Sequence, residues 1–224
     1  MNGLFEIIDN YYTVFASVLV ALFTIVDPFA AVPVFLAMTP NDTPGKRTLI
    51  ARNTSLYFTA ILLVFFLLGS QLLALLGISL NAIRVAGGLI ILNSGFALLN
   101  NKFAENRTID EAVEEEALHK PDISFSPMAM PLLAGPGSIS LLIALYGQYQ
   151  SWDYRILICF VIIILGLLTY WTLRVAPWLS KLLGVAGMNA LARIMGFLTM
   201  ALGVQMMILG VVTLAKMYIK QKGG

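Results

Sequence analysis

Six stretches of this chain are apolar over roughly 18–27 residues each, and this constrains its fold more than any motif. They are read at about 12–38, 54–76, 83–100, 126–148, 154–174 and 190–216. About 20 apolar residues, rising ~1.5 Å each, cross the ~30 Å hydrocarbon core of a bilayer. Inside lipid every backbone N–H and C=O must be satisfied by the protein itself, so runs of this length predict helices. Composition agrees: 59% of the 224 residues are hydrophobic and 12% charged. A soluble domain carries about 25% charged residues to wet its surface. The expectation is an all-α integral membrane protein whose first partner is the lipid bilayer. A net charge of +2 offers no basic face for phosphates, so nucleic acid is not an expected partner. The start, MNGLFEIIDNYY, lacks a basic n-region, so the first span is read as retained and not as a signal peptide.

Sidedness follows from Lys and Arg in the connections. Connections one–two, three–four and five–six hold Lys46, Arg47, Arg52, Lys102, Arg107, Lys120, Arg174 and Lys181. The other side holds Arg155, Lys216, Lys220 and Lys222. The imbalance places the first group in the cytoplasm and both termini outside. Tyr11, Tyr12, Tyr146, Tyr149, Trp152, Tyr154 and Tyr218 then fall in one interfacial belt at the outer side. The charged stretch 102–122 reads as a solvated helix or loop containing His119, with no metal role. Cys159 is the single cysteine; it excludes an internal disulfide and reads as apolar packing.

The two halves of the chain repeat a pattern. Pro28 and Pro33 in the first span match Pro131 and Pro136 in the fourth, and Arg84-Val85-Ala86-Gly87 in the third matches Arg193-Ile194-Met195-Gly196 in the sixth. Three spans per unit means successive copies cross the membrane in opposite directions, the inverted repeat of many secondary transporters. The expected architecture is therefore one transmembrane domain built as a 3+3 inverted repeat. Repeat 1 covers about 1–100, an acidic cytoplasmic connector 101–125 and repeat 2 about 126–224. The proline pairs are expected to break the first and fourth helices, since proline lacks an N–H and clashes with the preceding turn. Such breaks are tolerated in hydrocarbon only beside protein or a cavity.

Candidate site residues follow from the breaks. Asp27-Pro28 reads as the N-cap and first residue of a half-helix, and Gly135-Pro136-Gly137-Ser138 as the same device in the fourth span. Helix starts of this kind present N–H groups to an anion. Small residues, Ala30, Ala31, Ala134, Gly135 and Gly137, leave room for a cavity. Asp27 is the one acidic residue within the apolar part of a span, where a carboxylate costs about 2.5–3.5 kcal/mol even on lenient scales. Two readings of it stand: a helix cap alone, or a substrate- or proton-binding group. Arg84 and Arg193 can pair with Asp27, meet helix C-terminal carbonyls or snorkel to the interfaces. Asn93, Ser94, Gln205 and Ser138 supply neutral hydrogen bonds, to a substrate or between helices. Gly87, Gly88, Gly95 and Gly196 read as close-packing positions. No Walker A motif, metal-ligand spacing or acid pair is present, so enzymatic activity, cofactors and bound metals are not expected.

DPFAAVPVFLAMTP in the first span, PLLAGPGSIS in the fourth and the Arg-x-x-Gly openings of the third and sixth resemble the MarC family of six-span inner-membrane proteins. The resemblance covers almost the whole chain. It implies an inner (plasma) membrane location and transport of small neutral amino acids such as glycine and alanine, coupled to an ion gradient. It singles out Asp27, Pro28, Pro33, Arg84, Pro131, Gly135, Pro136, Gly137 and Arg193 as the positions that match, and a glycine where this chain has Ala30. The function expected is thus a secondary transporter with a small amino acid as substrate and a proton or sodium ion as coupling partner. Homo-oligomer formation stays open. A non-transporting membrane interaction or regulatory protein, and an ion channel, are the other readings.

Overall fold

The computed structural model describes residues 2–100 and 122–222. Most of the connector, with His119, lies outside these residues. Among the described residues every regular element is helical. In chain order these are α1 (Asn2–Val26), α2 (Ala31–Ala37), α3 (Pro44–Leu75), α4 (Leu80–Leu99), a wide-turn segment (Ser124–Leu133), α5 (Pro136–Gln148), α6 (Trp152–Arg174) and α7 (Ala176–Lys222). Four helices, α3, α4, α6 and α7, are long and apolar enough to cross a bilayer unaided. Two bent pairs do so when each pair is taken as one span, giving up to six. The pairs are residues Asn10–Val26 with α2, bent by 43°, and the wide-turn segment with α5, bent by 64°. Both breaks fall where the prolines predict them.

Helix starts differ from the apolar runs. Hydropathy predicts the second span from about 54, yet α3 begins at Pro44. Thr43 caps it, its side chain accepting the Lys46 N–H at 3.3 Å, and Pro44 fills the first position, where no N–H is missed. The first turns carry Lys46, Arg47 and Arg52, so hydropathy marks the membrane portion and misses the helix. Ser79 likewise caps α4 by accepting from Ala82 N at 3.1 Å, so the helix starts three residues before the apolar run. Residues 176–183 form a separate helical stretch before Gly184, and the helix of the sixth span starts only after that glycine, a few residues ahead of the expected 190. That glycine, at φ +61°, breaks α7 in a conformation costly for any residue with a Cβ.

The core is built on α3, α6 and the two broken spans, with Phe35, Phe58 and Phe66 fully buried. Ser55 on α3 donates to the Gly166 carbonyl on α6, and Thr59 occupies the space a side chain at position 166 would need. Five of the expected belt residues gather at one end of the bundle. Tyr154 stacks on Tyr11 at 4.9 Å and Tyr149 at 5.3 Å, and Arg155 lies 3.9 Å over Tyr146 and 5.2 Å from Trp152.

The tightest packing joins α4 to α7, which run antiparallel. A Cβ on Gly88 would meet the Gly203 carbonyl at 2.7 Å, and one on Gly203 would meet the Gly88 carbonyl at 2.8 Å. Gly95 and Gly196 repeat the reciprocal contact at 2.7 and 3.0 Å, so Gly88, Gly95 and Gly196 are the close-packing positions their sequence suggests, and Gly203 joins them. Small residues let helix backbones approach and gain dispersion contacts where lipid supplies no hydrophobic drive. Gly203→Ala should therefore lower stability by about 1–3 kcal/mol through overpacking against backbone. Gly45→Ala, whose added methyl would have nothing within 4 Å, should be near neutral. Thermal unfolding of the two variants in detergent checks the contrast.

Candidate functional site

The first break begins with a residue that cannot pass on the helical ladder. Asp27 closes α1 in the left-handed region, φ +44°, and donates its N–H to the Phe23 carbonyl at 2.9 Å. This is the single-bond C-terminal motif that glycine or asparagine most often forms. Pro28 follows and has no N–H, so the Thr24 carbonyl, four residues back, loses its helical partner. Thr199 on α7 supplies the replacement: its hydroxyl donates to that carbonyl at 3.1 Å. Thr199 is 1% and Thr24 4% exposed, so water does not compete. The sixth span thereby completes the backbone of the first.

Asp27 also accepts the Ala30 N–H on Oδ1 at 3.3 Å, the cap-type contact its sequence predicts. The correction concerns what it caps. Residues 28–30 form a tight turn and α2 starts only at Ala31, with Ala30 before it and no side-chain cap. With seven residues, α2 is too short to aim a built N-terminus at a ligand. Ala30 sits at φ −66°, ψ −22°, an ordinary right-handed conformation, so the backbone there needs no glycine.

The second break does follow its predicted grammar. Pro127 and Pro131 remove two donors, and the wide-turn segment bonds at longer reach, Met128 N to Ile123 O at 3.3 Å and Ala134 N to Ala129 O at 2.8 Å. Gly135, extended at ψ 166°, is then the N-cap of α5 and Pro136 its first residue. No side chain caps this start. The N–H groups of Gly137 and Ser138 are among the donors that a helix start leaves without intrahelical partners. Ser138 turns its hydroxyl back to the Gly135 carbonyl at 2.9 Å.

A cavity of about 110 Å³ opens at this point. Pro131, Leu132 and Leu133 line it from the wide-turn segment, Gly135 to Ser138 from the start of α5, Ile91 and Ser94 from α4, and Ile25 from the end of α1. Three spans meet at Gly137: a Cβ there would lie 2.9 Å from Ile91 and 3.6 Å from Ile25. The space suits several waters or a molecule of few non-hydrogen atoms. Its polar wall is a helix start, which favours an anionic group.

Among the expected site residues, Gly135, Pro136, Gly137 and Ser138 line this cavity, and Ala134 is buried beside it. Asp27, Pro28, Ala30 and Ala31 form the buried first break, which adjoins the cavity through Ile25 without lining it. Pro33 is exposed on α2. Arg84 donates to Asn81 Oδ1 at 3.4 Å near the start of α4, about 10 Å along the helix from Ile91. Arg193 lies on an exposed part of α7, before Thr199. Asn93 and Gln205 are exposed and outside the cavity; on α4 the adjacent Ser94 lines the wall instead. Among the described residues no group of three or more His, Cys, Asp or Glu is placed to hold a metal ion. Sequence reasoning misses Thr24, Thr199, Ile25 and Ile91. The rule that residue i bonds to i−4 names the Thr24 carbonyl once Pro28 is noticed, but nothing local names its donor.

Thr199→Val keeps the shape and removes the donor, leaving a buried carbonyl unmet. It should cost about 1–3 kcal/mol, while Thr199→Ser should retain most of the wild-type stability. Unfolding of the purified variants in detergent measures the difference.

The family described as MarC family integral membrane protein matches this chain over residues 12–215. A UPF0056 membrane protein of Escherichia coli, YhcE, is 35% identical over 201 residues, covering 89% of this chain and 93% of that protein. A UPF0056 membrane protein of the archaeon Methanocaldococcus jannaschii is 35% identical over 192 residues, covering 85% and 92%. The UPF0056 inner membrane protein MarC of another Escherichia coli strain is 30% identical over 212 residues, covering 89% and 95%. No solved structure matches the chain. With four candidate spans, up to six when each bent pair is taken as one, and a match over residues 12–215, this chain belongs to the MarC family of integral membrane proteins.

Proposed function

We propose that the chain is a secondary transporter of small neutral amino acids, of glycine and alanine size, in the inner (plasma) membrane. The observation that carries the reading is the cavity of about 110 Å³ beside the two broken spans. Broken helices at mid-span are how many secondary transporters expose backbone groups to a substrate. The uncapped start of α5, at Gly137 and Ser138, takes the carboxylate. The Asp27 carboxylate, in the buried break that adjoins the cavity through Ile25 without lining it, takes the coupling proton, or the ammonium group once the break moves toward the ligand. The volume admits few non-hydrogen atoms, which favours the smallest amino acids. No catalytic step is part of this reading.

The 3+3 inverted repeat is part of the proposal, and the glycine seam supports it. In a register one residue off the Arg-x-x-Gly match, a shift of 108 residues carries Gly88 and Gly95 onto Gly196 and Gly203. The contacts Gly88 with Gly203 and Gly95 with Gly196 therefore exchange with each other, as a two-fold axis in the membrane plane requires. The charge count adds sidedness, with both termini outside. A reporter active only in the cytoplasm should accordingly be silent when fused after Gly224 and active when inserted near Glu115.

The decisive experiment joins binding to coupling. Glycine or alanine at a hundredfold excess over its Kd should stabilise the purified protein by about 2.7 kcal/mol, read as a raised Tm. In proteoliposomes Asp27→Asn should fold normally, because asparagine caps as well as aspartate and tolerates positive φ. It should nonetheless lose proton-coupled uptake of alanine, since asparagine carries no exchangeable charge. Unchanged coupled uptake would reduce Asp27 to a cap. A voltage-driven current with no saturable solute would favour the channel reading.

A further inference from the structure

We propose that the cavity at the second break holds the ammonium group of its ligand on the backbone carbonyls of Pro131, Leu132 and Leu133. The inference rests on the transport reading, since it takes a small amino acid as the ligand, and it leaves Asp27 to the coupling proton.

The carbonyls come free where the wide-turn segment ends. Its last backbone bond runs from Ala134 N to Ala129 O. A helical carbonyl points toward the C-terminal end of its segment, where the next turn would supply an N–H. Here the next turn is the break. Pro136 has no N–H, and Gly137 and Ser138 already belong to the start of α5. Among the described residues no N–H or hydroxyl donates to the three carbonyls. A Cβ on Gly135 would lie 3.4 Å from the Pro131 carbonyl oxygen, so that oxygen faces the break. Pro131, Leu132, Leu133 and Gly135 all line the cavity.

The first break shows what a donor from the protein does at such a place. There Thr199 reaches from α7 and meets the Thr24 carbonyl at 3.1 Å. At the second break the neighbouring helix is α4, and it brings Ile91, buried and without a donor. The two hydroxyls that line the cavity are turned onto their own backbone: Ser94 donates to the Ile90 carbonyl at 3.0 Å and Ser138 to the Gly135 carbonyl at 2.9 Å. Acceptors therefore stand on one side of the cavity and the N–H groups of α5 on the other. Water meets a carbonyl adequately, but an ammonium group, with three donors and a positive charge, makes the stronger bonds. Carbonyls of unwound segments hold cations in many transporters for the same reason.

The test replaces Ile91 in the purified full-length protein. Ile91→Thr puts a hydroxyl where Cγ1 now lies, the atom 2.9 Å from a Cβ on Gly137, and Ile91→Val has the same shape without the donor. By isothermal titration in detergent, alanine should bind Ile91→Thr about 10- to 100-fold more weakly than Ile91→Val. Propionate keeps the carboxylate and lacks the ammonium, so it should bind both variants weakly and equally. Without ligand, Ile91→Thr should melt above Ile91→Val, because its hydroxyl meets a carbonyl as Thr199 does. Equal alanine affinity in the two variants overturns the proposal. So does an equal loss of alanine and propionate, which would put the hydroxyl on the N–H groups of α5. A Tm raised by sodium chloride and not by choline chloride, and lost in Ile91→Thr, would assign the carbonyls to a sodium ion instead. A wild type that answers neither glycine nor alanine sinks the transport reading and this proposal together, whereas the other adverse outcomes sink this one alone.

Discussion

In hydrocarbon, a carbonyl without a donor has no water to turn to, and the fold is arranged around one such carbonyl. Pro28 takes away the N–H that Thr24 would have received, and Thr199 replaces it from the far end of the chain. That bond requires the sixth span to lie against the break in the first. The glycine seam holds it there by drawing α7 onto α4, closely enough that backbone touches backbone. The same seam carries Ile91 of α4 to Gly137, where the second break opens. One missing hydrogen atom is thus tied to both breaks and to the cavity at the second.

The two breaks solve the same problem differently. At the first, a left-handed aspartate closes the helix, a short turn follows and α2 carries the chain onward. At the second, a longer irregular segment absorbs two prolines before a well-formed helix start. The asymmetry has a chemical consequence. Only the second break offers a built helix N-terminus to the cavity, whereas the first offers a buried carboxylate beside it.

Much of this is legible in the chain itself. Apolar runs long enough to cross a bilayer locate the spans, and proline pairs locate both bends to within a few residues. Gly135-Pro136 reads correctly as a cap and first residue, because N1 proline needs no partner from elsewhere. Asp27-Pro28 is less simple than its local grammar: the positive φ of Asp27 is a property of how α1 is closed, and it moves the start of α2 to Ala31. Hydropathy places the beginning of α3 too late, since hydropathy follows the lipid and the Thr43 cap follows the backbone.

Polar residues separate most sharply. Composition marks Asn93, Ser94, Thr199 and Gln205 alike as costly in a span, and adjacent Asn93 and Ser94 differ only in helix phase. Tertiary packing turns Ser94 to the cavity and Thr199 to a carbonyl, and leaves Asn93 and Gln205 on the outer face. From sequence alone come the spans and the breaks, because each follows from the bilayer's thickness or from proline's missing N–H. The donor that meets the carbonyl, the wall of the cavity and the face left open were decided by α4 and α7 packing together. The rotation of a helix about its own axis is set by its neighbours, and no local rule contains it.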